Sequence, residues 1–322
     1  LMDDGRALSD LKQGVTLEIF GEGTSPGPYW KDGKFTSFGE AMTMLEEKGV
    51  SVNIGSFLGA ATTRILEVGY KNRQATPSEM ERMRGHVENS MKEGAMGIGS
   101  SLIYAPGDYA STEELTELSK VASEYGGMYI SHLRSEGTNL LEALEELISI
   151  SRNANIPAEV YHLKASREPN WSKLDDVIKR IEEVRKEGLK ITADIYTYNA
   201  SSTGLTGVIP TWVQEGGHRA WINRMKDPEV RPRLLADIRE QLDEQPPEGI
   251  LLVGFKTSKM SRKYLAKTVA EAAAMRGQTP EEAIVDMVIE DDHRIQCIYF
   301  SMSEDNIRTV SYTHLTLPTR RG

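Results

Sequence analysis

Apolar, β-branched runs recur through the first two thirds of the chain, at residues 15–21, 52–57, 95–98, 128–131, 159–162 and 189–195. Each has strand length, and helical periodicity fills the 30 to 45 residues between most of them. Thr76-Pro77-Ser78-Glu79 sets an N-cap threonine, a first-turn proline and a box glutamate in order. Met80, Met83, Val87 and Met91 then share one face up to Gly94, a methionine stripe that reads as core packing. Ser111-Thr112-Glu113-Glu114 predicts a second capping box, ahead of Leu115, Leu118, Val121 and Tyr125. A third helix carries Leu140, Leu144, Leu147 and Ile148, and a fourth carries Leu174, Val177, Ile178, Ile181 and Val184 before Gly188.

Six strands alternating with helices predict a parallel sheet, for which an open doubly wound sheet and a closed (β/α)8 barrel both fit. No G-x-G-x-x-G opens a helix after a strand; "MGIGSSL" lacks the third glycine, which counts against a dinucleotide fold. Polar, metal-type residues at several strand ends favour the TIM-like barrel. From about Ser201 to Val310 the rhythm breaks, with "DEQPPEGI", a short strand at 250–255 and helices near 267–275 and 280–289. That segment reads as an insertion over the barrel mouth.

Composition narrows the picture without overturning it. A net charge of −10 with no basic run excludes an ordinary nucleic-acid partner. The single cysteine, Cys297, excludes an intramolecular disulfide framework and fits a reducing, cytoplasmic setting, where a buried structural thiol is the expected role. No apolar run approaches membrane-span length, and "LMDDGRALSD" has neither the basic nor the apolar region of a signal peptide.

The strand ends carry the chemistry. His132 in "YISHLRSEG" and His162 in "VYHLKAS" each close a predicted strand, 30 residues apart, the length of one strand–helix–strand unit. Two consecutive parallel strands would bring two imidazoles to the carboxyl end of the sheet, where they can hold a divalent metal, zinc first. Either histidine alone would be an ordinary polar strand end. Glu22, between two glycines in "FGEG", either ligates metal or is a loop carboxylate in water. Strand alternation would point Lys164 to the same face as His162, where an ammonium suits a substrate carboxylate. Arg134 is expected in a structural pair, and Glu136 or Glu159 could occupy either cation. Tyr104, Tyr196 and Tyr198 are possible rim donors or packed phenols. His86, His218, His293 and His314 look ordinary, and no G-x-S-x-G elbow supports a serine nucleophile.

The stretches "QGVTLEIFGEG", "GAMGIGSSLIYAPG", "YISHLRSEG", "VYHLKA" and "ADIYTYNA" together resemble the N-acyl-D-amino-acid deacylases (D-aminoacylases) of the metal-dependent amidohydrolase superfamily. The resemblance covers roughly residues 1 to 310. It implies a (β/α)8 barrel with strands 2–7 in residues 1–200, an insertion and return toward strand 8 in 201–310, and hydrolysis of N-acyl-D-amino acids, a small-molecule substrate. It implies Glu22, His132 and His162 as ligands of one or two Zn2+ ions, and Lys164, Tyr104 and Tyr196 as substrate contacts. Relatives outside this activity, such as a dipeptidase or cyclic-amide hydrolase, and a non-catalytic acyl-amino-acid-binding barrel, are the alternatives.

The chain departs from the family pattern at three places. The His-x-His pair of the first strand is expected just before Leu1, outside this sequence, and the general-base aspartate of the eighth strand is expected beyond the C-terminus. Where better-known members carry a bridging cysteine, Glu22 stands. The end "SYTHLTLPTRRG" leaves the preceding pattern and reads as a non-native tail over 311–322. On this reading the chain is a truncated piece with little activity of its own. "GAMGIGSSL" also lacks the modified lysine that other superfamily branches use.

Overall fold

The computed structural model describes residues 4–292 and 294–312; His293, His314 and most of the expected tail lie outside them. Strand β1 (Leu17–Phe20) leads into a hairpin of β2 (Tyr29–Lys31) and β3 (Lys34–Thr36). The parallel set continues with β4 (Asn53–Ser56), β5 (Leu58–Gly59), β6 (Gly97–Ser101), β7 (Met128–His132), β8 (Ala158–Val160) and β9 (Ile191–Ala193). β1 pairs with β4, and β5 through β9 pair in sequence order, all parallel. Phe57 separates β4 from β5, yet its N–H donates to Phe20 O at 2.8 Å and Met96 N–H donates to Ser56 O at 3.0 Å. The two short strands are therefore halves of one bent strand that ties β1 to the rest. All six runs expected from hydropathy are present.

The result is an arc of parallel strands with helices between them, not a closed barrel: β1 and β9 have no second parallel neighbour among the described residues. The intervening helices bury the faces that their periodicity marks. Met83, Val87, Leu115, Leu118, Leu144, Val177, Ile181 and Val184 are almost wholly buried in one cluster, each such side chain contributing about 1.5–3 kcal/mol by leaving water.

Thr76 caps Pro77–Lys92 with both halves of its box formed. Ser111 forms only half of the expected box. Its hydroxyl accepts from Glu114 N–H at 3.2 Å, but the Glu114 carboxylate turns away to accept from Arg64 Nη1 at 2.6 Å. Those two side chains are 1% and 3% exposed, and a buried guanidinium without an anion costs far more than an unclosed capping box.

Residues 201–310 hold more structure than their sequence suggests. β10 (Ser201–Gly204), β11 (Ile250–Gly254) and β12 (Gln296–Tyr299) form an antiparallel sheet in the order β10-β12-β11. With helices that include His218–Lys226, Arg231–Glu244, Val269–Arg276 and Pro280–Asp291, it encloses a second core around Leu205, Trp221, Ile238, Ile250 and Val285. Cys297 is wholly buried there, and burial pushes its thiol pKa up, as suits a structural residue. No helix among the described residues is long and apolar enough to cross a membrane.

Candidate metal centre

The carboxyl ends of the parallel strands gather the polar residues. Glu22 follows β1 between two glycines that the backbone path requires. Gly21 has φ 96°, and a Cβ there would stand 2.0 Å from Phe57 O; a Cβ on Gly23 would stand 2.7 Å from Ser101 Cβ. The chain is squeezed between β4/β5 and β6, and only the carboxylate side chain projects from it. Ser101 Oγ donates to Glu22 Oε1 at 3.2 Å.

His132 is the last residue of β7, in register with Ser101 of β6. His162 lies two residues beyond β8 at φ 40°, a left-handed conformation uncommon for histidine. The Asp194 carboxylate, directly after β9, accepts the His162 N–H, and Leu163 N–H donates to Asp194 O at 2.8 Å. Burial raises the Asp194 pKa, against the pull of that hydrogen bond and of the cations nearby.

His132 Nδ1 lies 2.9 Å from His162 Nε2 and 3.0 Å from Glu22 Oε1, and His162 Nε2 lies 3.4 Å from the same oxygen. The three residues each turn a ligand atom to a common point, all within 4.8 Å of one another. Tetrahedral ligands with bonds of about 2.0–2.2 Å stand about 3.3–3.6 Å apart, so a zinc ion fits after outward shifts of a few tenths of an ångström. Burial works to raise the Glu22 pKa, but the two imidazoles outweigh it and hold the carboxyl well below its usual range. Burial likewise works against charge on His162, while Glu136 and Glu22 raise its pKa to about 9.

Around this point the other sequence-predicted residues line one cavity of about 1780 Å³. Tyr104 stands with its ring 5.6 Å from that of His132 and its hydroxyl 2.6 Å from Thr203 Oγ1. Tyr196 has its ring 6.1 Å from His162. Tyr198 is 65% exposed and is not part of the lining. Lys164 is buried, and its position does not come from strand alternation, because β8 ends at Val160. Its Nζ donates to Glu136 Oε1 at 2.5 Å and to His162 O at 2.9 Å, and lies 2.7 Å from His162 Nδ1. Arg134 is structural: it donates to Glu146 and to the carbonyls of Asp108 and Ala110.

Three groups at the centre are not marked as site residues by the sequence. Glu136 carries a signal only as a possible cation partner, four residues past His132. Asp194 is visible as the acid in "ADIYTYNA". Arg294 gives no signal; its guanidinium lies 5.3 Å from the Tyr104 ring centre and has no carboxylate partner among the described residues. His86 pairs with Glu67 at 2.8 Å, and His218 receives the Trp221 indole N–H while facing Asp292, both ordinary structural roles.

No family model matches the chain. It is 32% identical over 198 residues to D-aminoacylase of Alcaligenes xylosoxydans xylosoxydans, across 62% of this chain and 39% of that protein. The N-acyl-D-glutamate deacylase of the same organism is 29% identical over 159 residues, 49% of this chain and 33% of that protein. The crystal structure of N-acyl-D-glutamate deacylase from Bordetella bronchiseptica superposes with a TM-score of 0.76 over 98% of this chain and 60% of that one, at 21% identity. In sequence and in fold the chain is similar to the D-aminoacylase family of amidohydrolases. A D-aminoacylase crystal structure shares the fold at a TM-score of 0.72 and 23% identity, over 95% of this chain and 59% of that one. The matches span about two fifths or less of the curated D-aminoacylase relatives' own lengths. The Bordetella enzyme was captured with zinc and a phosphonate inhibitor that mimics the reaction's tetrahedral intermediate.

Proposed function

We propose that this protein hydrolyses the amide bond of N-acyl-D-amino acids, giving a carboxylate and a free D-amino acid, with a divalent metal, zinc first, held by Glu22, His132 and His162. The observation that carries the reading is the convergence of His132 Nδ1, His162 Nε2 and Glu22 Oε1 at the carboxyl end of the parallel strands, in a chain of D-aminoacylase kinship. A metal there supplies water activated near neutral pH and polarisation of the amide carbonyl.

The chain's own residues bind and orient. Tyr104 beside His132 and Tyr196 beside His162 line the cavity and would contact the substrate next to the scissile amide. Substrate binding requires positive charge for a carboxylate. Lys164 is adjacent, and Arg294, free of any acid among the described residues, offers a planar fork suited to bidentate pairing. Amide cleavage also needs a proton moved from water to the leaving amine. The carboxylates at the centre are engaged with the histidines, Glu22 and Glu136 at the rings and Asp194 at the His162 N–H.

The test is release of free amino acid from N-acetyl-D-leucine by the full-length gene product, after chelator treatment and again after zinc is restored. Zinc-dependent release supports the reading. Tight binding of the acyl amino acid with no release at any zinc level would replace it with a non-catalytic binding role.

A further inference from the structure

Each histidine of the donor cluster has a second nitrogen, and one carboxylate stands behind both. Glu136 Oε1 lies 3.1 Å from His162 Nδ1, and Oε2 lies 3.6 Å from His132 Nε2. These are the nitrogens turned away from Glu22. His132 Nε2 is buried and has no hydrogen-bond partner among the described residues, and the Glu136 side chain is itself only 14% exposed.

Lys164 makes the arrangement a competition. Its ammonium lies 2.7 Å from the same His162 Nδ1. A neutral imidazole carries one N–H, so a nitrogen that accepts from lysine forces the proton onto the other nitrogen. For His162 that would place N–H at Nε2, the atom aimed at Glu22, and remove its lone pair from the centre. A carboxylate at Nδ1 selects the opposite tautomer, because it only accepts. Its several lone pairs also let it hold the lysine at the same time.

We infer that Glu136 is a positioning residue that draws the N–H groups of both histidines to itself, at Nδ1 of His162 and Nε2 of His132, and so keeps the opposite nitrogens open for a divalent cation. Lys164 is held in check by the same carboxylate. The inference rests on the metal-centre reading proposed above.

The test is zinc affinity of the 322-residue chain, read by competition with a chromophoric chelator, for the unaltered protein, Glu136→Gln, Lys164→Met and the double variant. Cobalt substitution adds a visible spectrum that reports ligand geometry. The expected result is zinc binding about 10-fold or more weaker in Glu136→Gln, with an altered cobalt spectrum, and a similar loss between Lys164→Met and the double variant. The double variant removes both buried charges together, so this second comparison stands even where Glu136→Gln alone fails to fold. A loss that disappears in the Lys164→Met background would overturn the inference, since Glu136 would then act only through the lysine. An unaltered protein that takes up no zinc would instead sink the metal-centre reading itself.

Discussion

His132 Nδ1 and His162 Nε2 face each other across 2.9 Å although 30 residues separate them. Strands β7 and β8 are hydrogen-bonded neighbours, which sets the two imidazoles side by side, and the left-handed turn at His162 swings its ring toward its partner. Two lone-pair nitrogens so placed repel unless a proton or a cation lies between them. Replacing either histidine by alanine should therefore lower zinc affinity by about 100-fold or more. Equal zinc uptake by the alanine variants would remove the site.

Zinc binding should depend on pH in a stated direction. With its pKa raised to about 9, metal-free His162 keeps its proton through neutral pH, and zinc must displace it. Affinity is expected to rise about tenfold per pH unit from about pH 6.5 to about 8.5 and to level off near 9. The same linkage gives metal-free stability that is full below the unfolded histidine value of about 6.5 and declines as pH rises through about 9. Calorimetric titrations at several pH values check the first statement; a flat affinity contradicts it.

Glu22 reaches the centre only because its neighbours are glycines. At Gly14 the φ is 84° with open space where an added methyl group would sit, so Gly14→Ala should cost only about 1–2 kcal/mol of backbone strain. At Gly21 a Cβ would also collide with the Phe57 carbonyl, and Gly21→Ala should cost about 3 kcal/mol or more and weaken zinc binding by displacing Glu22. Urea denaturation of the two variants side by side measures the difference. Similar costs would mean that the tight passage beside Phe57 is not maintained.

The Arg64–Glu114 pair is buried at 2.6 Å between the helices Ala60–Glu67 and Thr112–Glu124. Glu114→Ala strands a guanidinium and should destabilise by about 3–5 kcal/mol, whereas changing both residues to leucine should cost much less. A double-mutant cycle in denaturant reads this directly.

Much of the parallel part is legible in the sequence because its signals are local. Six apolar runs and four amphipathic helices occur where periodicity places them, and the glycines flanking Glu22 announce a tight backbone. What stays hidden depends on distant partners. Ser201–Gly204 is a serine-rich strand with no hydrophobic alternation, formed because Gln296–Tyr299 pairs with it. Glu114 reads as a capping residue, but Arg64, fifty positions away, claims it. Lys164 reads as free for substrate, but Glu136 folds back onto it from the turn after β7. The joint placement of the candidate site residues follows from strand order, whereas their neutralisation by neighbouring carboxylates does not.

X-ray absorption of the zinc-loaded chain tests the centre most directly. One zinc bound by nitrogen and oxygen at about 2.0–2.1 Å is expected, with the longer-range scattering of two imidazoles and no sulfur, and loss of that pattern in His132→Ala. A sulfur ligand near 2.3 Å, which only Cys297 or a methionine could supply, or a spectrum without imidazole scattering, would contradict it.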